Sequence, residues 1–223
     1  YSGNEIHELL HQPGAIDAST KSLAIVEPML HQVLLFDHPR HEGRETRFEL
    51  RARLGARGFD AGELLFPSDV AIAQNERVYV CDRGNHRIQV YAPDGEFLFG
   101  WGDWGWAPGF FADPTGVEVA AGSVYVTDSS NHRVQVFDLE GEWLYEWGLH
   151  ALEPREGEGK LHYPGGIAVT AAGHGYEIAT RCLGSSIPGR HAGTARGAPS
   201  ESPRLTIRAR WTASEAAPRP ASE

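Results

Sequence analysis

Cysteine is nearly missing from this chain: its 223 residues hold two, Cys81 and Cys182, and no C-x-x-C pair. Both read as unpaired thiols, and no RING-type Cys/His spacing exists. No apolar run approaches the ~18 residues that span a bilayer, so no membrane segment is expected. No leader pattern is legible, and the chain opens at Tyr1 rather than Met, which leaves the true start open. G-x-S-x-G, H-E-x-x-H, the P-loop and a strand-to-helix G-x-G-x-x-G are all lacking, and with them the common signatures of hydrolases, metalloproteases and nucleotide binders. Basic charge is scarce in the body: residues 1–170 carry 13 Lys+Arg against 26 Asp+Glu, whereas residues 171–223 carry 7 Arg and 4 Glu. A body that acidic repels phosphate backbones, so nucleic acid is not expected as a partner and negligible salt-dependent RNA binding is expected.

Aromatics and glycine are plentiful, with 6 Trp, 7 Tyr, 9 Phe and 26 Gly. They are organised by a repeat. Val78 to Gly102 reads VYVCDRGNHRIQVYAPDGEFLFGWG and recurs 46 positions later as VYVTDSSNHRVQVFDLEGEWLYEWG, 14 of 25 residues identical without a gap. A period of about 40 to 50 residues with four β-type runs parted by Gly, Pro, Asp and Asn turns specifies a propeller blade. Blade two has runs Asp69 to Ala73, Arg77 to Cys81, Arg87 to Tyr91 and Glu96 to Phe99, joined by hairpin-length connectors such as Pro93-Asp94-Gly95. Blade one is a worn copy: Leu23 to Asp37 matches at an offset of 55, with Glu27 for Asp82, His31 for His86 and Gln32 for Arg87, and Phe48 to Leu54 supplies its outer strand. A fourth blade opens at Tyr163-Pro164 and the match stops near Tyr176.

The expected fold is therefore an all-β β-propeller of four-stranded antiparallel blades. Blades fall at about 11–55, 66–102 and 113–148, with a truncated fourth at 163–176. From Ala171 onward, 28 of 53 residues are Ala, Pro, Ser or Gly. Segment 177–223 is accordingly read as disordered or as a shifted reading frame, with a natural flexible linker as the alternative.

Within the motif, Val78 and Val80 share one face of the second strand and Tyr79 and Cys81 the other; Ile88 and Val90 oppose Arg87, Gln89 and Tyr91 on the third. Both faces must be covered by neighbouring blades. Asp82 and Asn85 are suited to close the intervening turn, Asp by accepting backbone N–H groups and Asn by tolerating φ > 0. Arg87 has the donors to pair with Asp82 or with a turn carbonyl of the adjoining blade. Asp82, His86 and Arg87, with Asp128, His132 and Arg133, thus read as a structural clip. Asp69 and Asp113 sit where capping is the expected work.

D-x-x-N-H-R-[IV]-Q-V-[FY] resembles the NHL repeat, a β-propeller family whose triplet here reads Asn85-His86-Arg87 and Asn131-His132-Arg133. Gly105, Gly109, Pro114, Gly116, Val117 and Val119 agree with the surrounding pattern. The resemblance implies a six-bladed ring, of which three blades and a start would be a fragment with exposed sheet edges. It also implies three functional classes. The leading one is a non-catalytic scaffold that binds a protein or small ligand, with no cofactor. The alternatives are a metal-dependent lyase or hydrolase, as in propeller-fold amidating lyases, with His31, His86 and His132 ringing one face, and the substrate-binding propeller of a ubiquitin ligase whose other domain lies elsewhere. Recurrence of the histidine in every blade favours packing over metal, so no metal ligand is assigned.

Function is sought in the loops. The turn between strands two and three and the crossover to the next blade lie on one face of a blade, which gives Arg83, Asn85, Trp104, Trp106, Ser129 and Asn131 as ligand-face candidates. The crossover Gly102 to Asp113, GDWGWAPGFFAD, combines aromatics with acids, a surface suited to peptide, sugar or a cationic group. Alternatively, Phe110 and Phe111 pack between blades and only the tryptophans reach solvent.

Overall fold

The computed structural model describes residues 9–42, 45–150 and 160–169, together with the backbones of three later strands. Three complete meanders dominate it. Blade one contains β1 (Ala15–Ala18), β2 (Ser22–Glu27) and β3 (Gln32–Asp37), then a small hairpin of β4 (Arg40–Glu42) and β5 (Glu45–Arg47), then the outer strand β6 (Leu50–Leu54). Blade two is β7 (Asp69–Ile72), β8 (Val78–Asp82), β9 (Arg87–Tyr91) and β10 (Phe97–Trp101), and blade three is β11 (Pro114–Ala120), β12 (Ser123–Asp128), β13 (Arg133–Phe137) and β14 (Trp143–Trp147). Each forms a four-stranded antiparallel sheet in chain order, the hairpin of blade one standing outside it. The outer strand of blade one is shorter than expected, because the extra hairpin takes up the chain ahead of Leu50.

Every outer strand carries the same irregularity. Pairing slips by one residue between Leu35 and Phe36 opposite β6, between Phe97 and Phe99 on β10, and between Val136 and Phe137 opposite β14. The residues skipped include Leu98 and Leu144, both exposed. Such bulges deepen the twist of the rim strand and spoil it as a template for another sheet.

A fourth sheet begins in register with the others: after the short pair β15 (Leu149–His150) and β16 (Lys160–Leu161), β17 (Pro164–Val169) pairs antiparallel with β18 (Gly175–Thr180). It then departs from the meander, since β20 (Thr206–Trp211) runs parallel to β18 and β19 (Ala192–Thr194) lies outside it. Apart from those strand backbones, the reading of 177–223 as a disordered or frame-shifted tail lies outside the described residues.

Alternation along the strands builds the core between blades rather than within them. Ala24, Val26, Val33, Leu35, Leu54 and Leu64 meet Val70, Val78, Val80 and Tyr91 at the first seam. Tyr79, Cys81, Ile88, Val90 and Phe111 meet Val117, Val124, Val126 and Phe137 at the second. A third, smaller seam joins Tyr125, Val134 and Val136 to Leu161 and Ile167. Val78 and Val80 thus look toward blade one and Tyr79 and Cys81 toward blade three, which is why a strand of unbroken apolar residues is needed here. Phe111 and its counterpart Leu64 plug successive seams from the crossovers, both fully buried. Burying a side chain of that size stabilises by about 1.5–3 kcal/mol.

Candidate binding face

Each blade turns from its second to its third strand through one turn of 3-10 helix: Pro28–Leu30, Arg83–Asn85 and Ser129–Asn131. The residue that ends it is always histidine, in the left-handed region, with φ of 54° at His31 and His86 and 56° at His132. The positive φ assigned to asparagine therefore belongs to histidine, which stabilises it through its own amide, hydrogen-bonded to the carbonyl of Pro28, Arg83 or Ser129. Left-handed backbone costs a non-glycine residue about 1–2 kcal/mol, so it persists only where neighbours hold it.

The imidazoles supply that hold. Nδ1 of His31 accepts the N–H of Phe66 at 3.0 Å, that of His86 the N–H of Asp113 at 3.1 Å, and that of His132 the N–H of Tyr163 at 3.2 Å. Each histidine therefore fastens the end of the crossover that leads into the following blade. The bond requires a lone pair on Nδ1, hence a neutral ring with its proton on Nε2. Burial and the nearby Arg57 guanidinium lower the pKa of His31, against a smaller opposing pull from Asp82. No group of three or more His, Cys, Asp or Glu gathers as a metal site among the described residues.

The same turn grips the preceding crossover from the other side. Asp82 is fully buried; its Oδ1 accepts the N–H of Leu65 at 2.7 Å, and its Oδ2 accepts from Asn85, Arg87 and Gln89 at 2.8, 2.8 and 3.0 Å. Arg87 spends its other nitrogens on the carbonyls of Phe59, Asp60 and Glu63, Asn85 donates to Gly58 O, and Gln89 donates to Glu63 O. Blade three repeats the device: Asp128 takes the N–H of Ala112 and donors from Asn131, Arg133 and Gln135, while Arg133 reaches the carbonyls of Ala107 and Phe110. Burial raises the Asp128 pKa despite its hydrogen bonds and the guanidinium. Blade one keeps half of the arrangement, with Glu27 accepting the N–H groups of His11 and Gln12.

The two crossovers, 55–66 and 102–113, are thus pinned alike through their backbones. Gly102 opens one of them at φ 101°, and a Cβ there would stand 2.6 Å from the Phe111 ring. What the crossovers show to solvent differs. Trp104 and Trp106 are 70% and 81% exposed, and Phe59, the counterpart of Trp106, is 74% exposed. Phe110 is partly exposed while Phe111 is sealed in the seam. Met29, Leu30, Phe66 and Tyr163 add apolar surface at neighbouring blade turns.

Of the candidates read from sequence, Trp104 and Trp106 stand free on this face. Arg83 reaches it too, in a two-pronged ion pair with Asp113 at 2.6 and 3.1 Å. Asn85 and Asn131 have their amides committed to the clip, and Ser129 is buried within the turn itself. Sequence reasoning passed over Phe59, whose only signal is its alignment with Trp106 five positions into a glycine-led crossover.

A second set of carboxylates collects on the innermost strands. Oδ2 of Asp17 accepts the N–H of Ile72, and Oδ2 of Asp69 accepts that of Val117, so each ties its strand to the next blade. Burial, chiefly, lifts the Asp69 pKa to about 6; burial followed by the charges of Asp17 and Asp69 lifts Glu118 to about 7. Asp17 and Asp69 thus fasten the inner strands, while Glu118 adds electrostatic cost beside them.

Residues 64–91 and 111–137 match the NHL repeat. Among solved structures, the hydrazine synthase of Kuenenia stuttgartiensis is similar at a TM-score of 0.53 and 16% identity, over 74% of this chain and 41% of that one. A protein of unknown function from Bacteroides thetaiotaomicron VPI-5482 is similar at a TM-score of 0.54 and 20% identity, over 74% of this chain and 44% of that one. At such identities the likeness is one of fold, and the chain spans less than half the length of either structure. None of the curated proteins matches the chain.

Proposed function

We propose that this chain, which carries the NHL repeat in two of its propeller blades, is a non-catalytic scaffold that binds a protein or small ligand through its crossover face. One observation carries the proposal: large aromatic side chains project into solvent from loops whose backbones are locked by buried ion pairs. Trp104 and Trp106 are exposed, while the peptide groups around them bond to Asp128, Asn131, Arg133 and Gln135. Burying those rings offers the largest apolar gain on this surface, and a loop already ordered loses little entropy on binding. The chemistry present otherwise is fastening. The three histidines accept backbone amides, and the Asp–Arg pairs are turned inward onto peptide groups. Guanidiniums so committed offer phosphate no free patch, in keeping with the acidic body. No helix of the described residues is long and apolar enough to cross a membrane.

The test is partner capture by the chain, by a Trp104→Ala/Trp106→Ala variant, and by an Arg77→Ala variant altered on the opposite side of blade two. Capture lost only with the tryptophans supports the proposal; capture lost only with Arg77→Ala overturns it.

A further inference from the structure

We infer that the crossover face takes an arginine-bearing extended segment of a partner protein; the inference rests on that face being the binding surface and names what it recognises. Charge is the first ground. Of the guanidiniums near the crossovers, Arg83 is matched by Asp113, Arg87 by Asp82, and Arg133 by Asp128 and Glu146. Asp60, Glu63 and Asp103 have no ion pair among the described residues, Glu63 accepting the Asp60 N–H, and Arg57 is the one basic residue within the two crossovers. Asp103 is exposed and uses Oδ1 for the N–H of the adjoining Trp104, so a carboxylate oxygen is available next in sequence to the exposed indole. The body around this face holds 26 acids against 13 bases, which draws cationic partners in.

Aromatic geometry is the second ground. Exposed indole faces are the strongest cation–π platforms, and a carboxylate beside one completes the site that a guanidinium needs: a plane to stack on and an acceptor for its forked donors. Lysine offers no plane to stack, and an acidic segment meets like charge. Recurrence of the exposed ring at equivalent positions of adjacent crossovers, Phe59 and Trp106, is the third ground. Two platforms on successive blades suit a chain laid across them, with Trp104 and Asp103 at one anchor and Asp60 at the other.

The probe is a short synthetic peptide with two arginines in a serine and proline background, compared with its citrulline analogue, which keeps shape and removes charge. Binding to the full chain is followed by tryptophan fluorescence and peptide anisotropy at physiological ionic strength. The arginine peptide is expected to bind about tenfold more tightly than the citrulline one, and Trp106→Ala and Phe59→Ala are each expected to weaken it about three- to tenfold. Circular dichroism should stay unchanged, since both rings lie in solvent. If citrulline binds equally and still depends on Trp106, the cation inference fails while the binding face stands. If neither substitution alters binding of either peptide, both fail.

Discussion

Replacing Asp82 with alanine should release a whole crossover. The carboxylate is sealed from water and receives four donors, one of them a guanidinium whose remaining nitrogens are bonded to three crossover carbonyls. Removing one partner of a buried ion pair costs about 3–5 kcal/mol, because the other charge is left without compensation. A domain is stable by only about 5–15 kcal/mol, so the variant should sit near its unfolding threshold. With a urea slope of about 1–3 kcal/mol per molar, the midpoint should fall by roughly 2 M. Hydrogen exchange should accelerate first at residues 55–66, where Leu65 N–H loses its acceptor, and far less at 102–113, which Asp128 holds. Arg87→Met tests the coupling: a double variant with Asp82→Ala should be less destabilised than the two singles combined, by about 1–3 kcal/mol. A midpoint equal to that of the parent chain, additive singles, or unchanged exchange at 55–66 would refute the clip.

Two further outcomes follow from buried groups elsewhere. Glu118 keeps its proton to about pH 7 in the folded chain but to the ordinary 4.5 when unfolded, so what it contributes to stability is full below 4.5, erodes between those values and is gone above 7. Glu118→Gln has no proton to lose; after discounting for partial exposure it should stabilise the fold by about 1–2 kcal/mol at pH 8 and by nearly nothing at pH 4, and melting curves with equal gains at both would refute the assignment. Cys81 is fully buried and burial raises its pKa, so in a Cys182→Ser variant an aromatic disulfide reagent should label no thiol until denaturant is added; prompt labelling of the native chain would show the second seam to be open.

Sequence reveals the seams better than the fastenings. Val78, Val80, Tyr79 and Cys81 alternate so regularly that their division between two neighbouring blades can be read directly, since period-two burial is local. The histidine is different. Its recurrence is visible, but a residue name does not say which ring nitrogen accepts which amide, and the left-handed position fell to His86 where propensity favours Asn85. Glu27 looked like decay of the motif because its side chain is longer; it still accepts two amides from the entering segment. The kinship of crossovers 55–66 and 102–113 is hidden for a related reason: their shared bonds run through peptide groups, and little beyond Gly55/Gly102, Gly58/Gly105 and Gly62/Gly109 recurs in the letters. Asp17, Asp69 and Glu118 approach one another only because inner strands of different blades converge, and no spacing along the chain encodes that.

The way the crossovers are held separates architecture from vocabulary. Leu65 and Ala112 give the same amide to Asp82 and Asp128, and Glu63 and Phe110 the same carbonyl to Arg87 and Arg133, though the letters at those positions have nothing in common. A clip that reads only peptide groups is indifferent to what the side chains say. Arg57 stands where Trp104 stands, and Phe59 where Trp106 does, over the same peptide bonds to the clip. The exposed side chains of this surface are therefore free to diverge while the clip stays constant, whereas Leu64 and Phe111, which fill their seams, are bound to the blades they join.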